Sequence, residues 1–325
     1  MIMKTKHLIS IIAAGAMTLS AQAVSKNKLA KAEAGDLDAM CNVGVDYFYE
    51  GDADSAFQWL NKAADSGNSN AMFWLGYIHS TTGEFGPMIE WFNKAVDAGN
   101  TEAMFNLANC YFNGMGVSRD NDKGVALLRQ AADLGEPEST NFLGQIYHNG
   151  YVIERDFFQA FNLFKKAAEL GDAEAMRRLG IYYTDLYHQK DGDTPDQRIP
   201  VDIEAGKNWF EKSAKKGNPL SQLYFVQRFL EREDDDTVVN NEELTKYYLD
   251  IVKNPHSERL LGDDAMRYVY KKLSDCYRLG LGGLNRDIDK SNHYKELAGD
   301  ASTLNREEIS RRLTRIDLTD DIIRH

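Results

Sequence analysis

The chain has 325 residues, 43% of them hydrophobic, and sets 50 acidic side chains against 38 basic ones for a formal charge of −12. The length suffices for a sizeable core. The acid excess argues against nucleic acid or an anionic membrane as partner, because binding there neutralises phosphates with Lys and Arg. It mildly favours a basic protein or peptide, although a solvated acidic surface accounts for the same charge.

The first segment stands apart from the rest. Lys4, Lys6 and His7 precede an apolar run from Leu8 to Leu19, and Ala21-Gln22-Ala23 supplies a small-x-small cleavage site. These are the three parts of a secretory signal peptide. The run is shorter than the roughly 20 residues a membrane span needs, and no Cys follows the site to carry a lipid. Residues 1–23 are expected to be removed, giving an exported, periplasmic or secreted product. Two lysines and no acid leave with them, so the charge becomes −14. No later apolar stretch is long enough to insert into a membrane.

From residue 24 to residue 300 the chain repeats itself. Alanine-rich helix endings run into Gly35, Gly67, Gly99, Gly135, Gly171 and Gly217, each followed by Asp, Asn or Glu, at spacings of 32, 32, 36, 36 and 46. Periods in this range mark stacked supersecondary units. Each unit reads as two helices. The first is Ala-Met-Cys-Asn-Val-Gly-Val-Asp-Tyr-Phe at 39–48 and recurs at 71–78, 103–112, 139–147 and 175–183. Its small residue (Gly44, Gly76, Ala108, Gly144, Gly180) predicts a close helix approach, since a helical glycine otherwise costs about 0.5–1 kcal/mol. The second helix carries aromatic and aliphatic residues before its alanines, such as Phe161, Phe164, Ala167 and Ala168. Between the helices lie turns such as 114–120, 150–156 and 280–287, whose Asp is placed to N-cap the second helix.

This register resembles the Sel-1-like repeat, a relative of the tetratricopeptide repeat, over about residues 28–300, most completely in repeats three and four. The resemblance implies an all-α fold: a right-handed α-solenoid of about seven antiparallel helix pairs. Repeats one and two lack four residues of the inter-helix turn, and repeats six and seven carry Val226 and Ser274 where the small residue belongs. The cysteine pairs of some secreted members are missing. Cys41, Cys110 and Cys276 lie two or more repeats apart, tens of ångströms at roughly 10 Å per helix pair, beyond disulfide reach. They are expected to be small buried residues.

Two longer spacings are insertions: Asp185–Pro200 within repeat five, and Asn254–Asp264, which predicts a linker and an extra helical turn before repeat seven. Residues 301–325 read as a C-terminal capping helix and tail, with an Asn305–Glu308 capping box and an apolar stripe of Leu304, Ile309, Leu313 and Ile316. Arg311, Arg312 and Arg315 there read as solvated.

No catalytic constellation is present. His-Glu-x-x-His, Gly-x-Ser-x-Gly and a phosphate-binding glycine loop are all missing, and the histidines are scattered. Asp191, Asp193 and Asp196 could face a Ca²⁺ but lack the later bidentate acid, so they read as a solvated turn, as does Glu231–Asp236. The expectation is a non-enzyme with no cofactor and no metal.

In the related tetratricopeptide fold the first helix of each pair lines the groove. The resemblance therefore places a partner-binding stripe at Phe73, Tyr77, Phe105, Asn109, Phe112, Asn141, Gln145, His148 and Arg177, with Ser80, Ile181 and Thr184 in the same register. Aromatic anchors beside polar groups suit an interface; burial of Phe105 and Phe112 between adjacent repeats is the competing reading. The function expected is an exported protein- or peptide-binding scaffold. An inhibitor or immunity-type protein neutralising a basic secreted enzyme is the alternative, and cell-envelope polymer binding or hydrolysis a third.

Overall fold

Each repeat glycine stops one helix, and the next residue starts another. In the computed structural model Gly67 has φ +92°, and Asn68 N–H reaches back to the Ala63 carbonyl at 3.0 Å, the bond of a left-handed helix stop. Asn68 Oδ1 then accepts from Ala71 N–H at 2.8 Å and caps the following helix. The same two residues serve at Gly99-Asn100 and Gly217-Asn218, where the caps take Ala103 and Ser221 N–H at 2.7 and 2.9 Å. Asp120, Asp156 and Asp287 cap second helices as their positions predict, accepting from Lys123, Gln159 and Lys290 N–H.

The structure describes residues 25–150, 152–184, 199, 201–230, 241–300 and the single residues 304, 309 and 313. Among them it contains 16 α-helices, one π-helical turn and no strand, an all-α solenoid of consecutive packed helix pairs. It divides into two compact units at residues 143 and 144, within helix Pro137–Asn149. Residues 1–23, expected to be a signal peptide, the Asp191–Asp196 cluster, Glu231–Asp236 and most of 301–325, with Asn305–Glu308, Arg311, Arg312, Arg315 and Ile316, lie outside the described residues.

Unit 1 holds α1 (Lys26–Glu33), α2 (Leu37–Glu50), α3 (Ala53–Asp65), α4 (Ser69–Thr82), α5 (Phe85–Asp97), α6 (Thr101–Asn113), α7 (Asn121–Asp133) and the first half of α8 (Pro137–Asn149). The shortened repeats turn in two residues, Gly51-Asp52 and Gly83-Glu84. The recurrent small residue has the reason expected for it: a Cβ on Gly44 would stand 2.6 Å from Leu60 Cγ, and one on Gly76 2.6 Å from the Phe92 ring.

Unit 2 continues with α9 (Phe157–Glu169), α10 (Ala173–Thr184), α11 (Ile203–Lys215), α12 (Pro219–Phe225), α13 (Glu242–Lys253), α14 (Ser257–Leu261), α15 (Asp263–Leu279) and α16 (Ile288–Ala298). Phe164 and Phe210 fill the notches at Gly144 and Gly180. The two departures from the motif have separate solutions. At Val226, which is fully buried, the helix changes to a π turn over Val226–Leu230. At Ser274 the facing residue is itself small, and Ser274 Oγ donates to the Ser291 carbonyl at 2.9 Å. The extra turn expected before repeat seven is α14. Ile309 and Leu313 are helical and buried in this unit's core, with Leu304 partly buried against it.

All three cysteines are free and buried. Burial pushes the Cys110 thiol up to about 12, and burial with the nearby Asp38 charge does the same for Cys41. Neither is a nucleophile at neutral pH.

Candidate functional site

The stripe expected to line a groove is packed rather than open. In unit 1, Phe73, Tyr77, Asn109, Phe112 and Asn141 are buried and Phe105 is half-buried. Phe73 stacks on Phe92 with centroids 6.0 Å apart, and Phe105 and Phe112 both pack on Phe142 at 5.4 and 6.3 Å. Tyr77 keeps 6% of its surface and sits among Phe48, Phe73 and Trp74. Burial, then the neighbouring Tyr49, raises its hydroxyl pKa. The reason is spacing: adjacent first helices stack closely enough that large side chains on the shared line fill the space between them. Tyr77→Ala is therefore expected to destabilise unit 1 by about 2 kcal/mol, read from thermal or urea unfolding. An unchanged melting point would restore Tyr77 as an open surface residue.

In unit 2, Gln145, His148 and Arg177 are buried too. His148 Nδ1 lies 2.8 Å from Tyr182 Oη. Arg177 Nη1 donates to the Leu313 carbonyl at 2.9 Å, and its Nε and Nη2 engage the Glu174 carboxylate at 3.0 and 2.6 Å. Arg178 Nη2 meets the same carboxylate at 3.0 Å. Burial opposes ionisation of Glu174, but Arg177 and Arg178, with a hydrogen bond from Asn218, outweigh it and hold the carboxyl at about 2. This cluster ties helix to helix.

What remains open lies on the same helices, turned toward their N-termini. Asp38, Cys41 and Asn42 of α2, Asn70, Phe73 and Trp74 of α4 and Glu102 of α6 line a cleft of about 440 Å³ in unit 1. Asp38/Asn42 and Asn70/Trp74 are i, i+4 pairs, so each helix presents one short face to it. The caps fix the rim: Asn68 Nδ2 donates to Asp38 Oδ1 at 2.9 Å, and Asn100 Nδ2 to Asn70 Oδ1 at 2.8 Å. Trp74 is held by Tyr49, Phe73 and Tyr77 at 6.0, 5.9 and 5.3 Å and is half-buried. Neither Asp38 nor Glu102 has an ion-pair partner among the described residues. Phe73 is the cleft residue that the expected stripe shares. The others were missed, although their signal was available: Asp38, Asn70 and Glu102 recur every 32 residues, six before the small residue.

Among the described residues no group of three or more His, Cys, Asp or Glu side chains could hold a metal ion, and no helix is long and apolar enough to cross a membrane. No curated protein matches the sequence. Solved structures do. A Sel1 repeat protein from Oxalobacter formigenes is 23% identical, with 78% of this chain and 97% of that chain covered and a TM-score of 0.58. The protective antigen c5321 of uropathogenic Escherichia coli, which displays an SLR fold, is 21% identical over 91% and 68% of the two chains, with a TM-score of 0.43. The immunity protein Pa5087 of Pseudomonas aeruginosa is 19% identical over 74% and 80%, at 0.37. The first of these is close enough to compare folds, and it shares this one. The Sel1 repeat profile matches residues 37–68, 101–136, 137–172, 173–218 and 270–302, and a tetratricopeptide repeat profile matches 69–98. With more than half its length matched in register with the helix pairs, this chain belongs to the Sel1 repeat family.

Proposed function

We propose that the protein is an exported scaffold that binds a protein or peptide partner. The observation that carries this is the unit 1 cleft, where an aromatic ring, amides and two carboxylates without ion-pair partners stand at the surface. Packing buries most of the expected stripe, while Asp38, Asn42, Asn70 and Glu102 of the cleft stay exposed. Half-buried aromatic anchors beside polar groups are what protein interfaces use. Export rests on the leader-like residues 1–23 and is checked by sequencing the N-terminus of the mature product, expected near Val24.

The binding role is tested by a pull-down from cell-envelope extract with the chain starting at Val24. A protein retained specifically supports the scaffold. Retention of no protein at any salt concentration, together with cosedimentation with purified cell wall, overturns it. The charge of −14 from Val24 onward favours a narrower form, an inhibitor or immunity-type protein for one basic secreted enzyme, since opposite charges accelerate association. That form requires one tight partner whose association rate falls steeply with salt, where a scaffold shows several weaker ones.

A further inference from the structure

The cleft of unit 1 has a charge and a shape that select among partners. Its seven lining residues include two acids and no base. An acid in the first turn of α2 or α6 is favoured by the helix dipole alone, so the acids by themselves define nothing. Three further features do. The two carboxylates come from helices 64 residues apart in sequence and line one cavity. Trp74 from the intervening helix walls that cavity with a ring clamped by three other aromatics. Asn68 and Asn100, the N-caps of α4 and α6 and each 30 residues further along the chain, hold Asp38 and Asn70 in place with their amide hydrogens.

The lining suits an organic cation better than a metal ion. A hard divalent cation seeks six or more oxygen ligands, whereas this lining supplies two carboxylates and two amides, of which Asn70 already accepts from Asn100, beside an indole, a phenyl ring and a thiol. A lysine or arginine side chain has the complementary build: an apolar stem that covers rings and a charged end that meets carboxylates and an indole face. We propose that the unit 1 cleft is the receptor for a lysine- or arginine-bearing segment of a protein partner, its charged groups taken by Asp38 and Glu102 from the two helices that flank α4 and a side-chain stem packed on Trp74. This rests on the scaffold reading and names the chemistry its partner carries.

The probe is fluorescein-labelled nona-arginine, with a nine-residue Gly-Ser peptide as control, titrated into the chain from Val24 onward by fluorescence anisotropy at about 0.15 M salt, where long-range charge effects are screened beyond about 8 Å. Asp38→Asn with Glu102→Gln is expected to weaken nona-arginine binding about 10-fold, and Trp74→Leu about 5-fold, consistent with desolvated cation contacts. Glu204→Gln with Asp289→Asn removes the same charge from unit 2 and is expected to change binding less than about 2-fold. Circular dichroism and melting of each variant show that the fold is kept. Equal weakening by the two double variants, or nona-arginine binding no tighter than the Gly-Ser control, overturns the assignment. The two readings fail separately: if an envelope partner is retained equally by the parent and by Asp38→Asn/Glu102→Gln, the cleft assignment falls and the scaffold stands. Loss of that partner from the double variant but not from the unit 2 control supports both.

Discussion

Replacing Phe210 with alanine is expected to cost unit 2 about 3–5 kcal/mol. The ring is fully buried, lies against the backbone notch at Gly180, where a Cβ would stand 2.8 Å away, and stacks on Tyr224 with centroids 4.1 Å apart. Removing it leaves a void bounded on one side by a glycine, which has no side chain to move in. At roughly 2–4 °C per kcal/mol for a unit of this size, the melting transition should fall by about 10 °C. Gly180→Ala tests the same contact from the other side. It adds a methyl group where the ring already stands and should cost about 1–3 kcal/mol by overpacking. A loss below about 1 kcal/mol for Phe210→Ala would show that the helix pair closes by other contacts.

Glu174→Gln is expected to destabilise unit 2 by about 3 kcal/mol at pH 7, because it takes the shared carboxylate away from two buried guanidinium groups. The side chain itself is 28% exposed, but those of Arg177 and Arg178 are 3% and 6%. The pH dependence has a fixed sign. The folded carboxyl is held at about 2, below its ordinary 4.5. Its contribution is therefore complete above about pH 4.5 and is lost as pH falls from there towards 2. Urea unfolding of the parent at pH 6 and pH 3 should show lower stability at pH 3, and Glu174→Gln should remove much of that difference. If the variant and the parent lose stability in parallel on acidification, other carboxylates set the acid response.

The all-α class, the glycine stops, the Asx caps and the helix-pair register were legible because each depends on residues within a few positions. Asp120 caps Lys123 whatever else the chain does, and Gly67 ends its helix by its own backbone freedom. The small residues at Gly44 and Gly180 were legible as close approaches because a costly helical glycine needs a packing reason. The extra turn before repeat seven, seen as α14, followed from spacing alone.

Exposure was not legible, because it depends on the neighbouring repeat. Tyr77 and Trp74 are three residues apart on α4, and only Tyr77 falls in the stripe expected to bind a partner. Phe48 of α2, with Phe73 and Trp74, buries Tyr77 and leaves Trp74 half-buried. Arg177 reads as a surface cation until Glu174, Arg178 and the Leu313 carbonyl 136 residues away surround it. Likewise the acids at Asp38 and Glu102 are ordinary first-turn residues in sequence and become walls of one cavity only when α2, α4 and α6 are set side by side. Local bonding was written in the chain, whereas the surface left for a partner was decided by how tightly successive repeats pack.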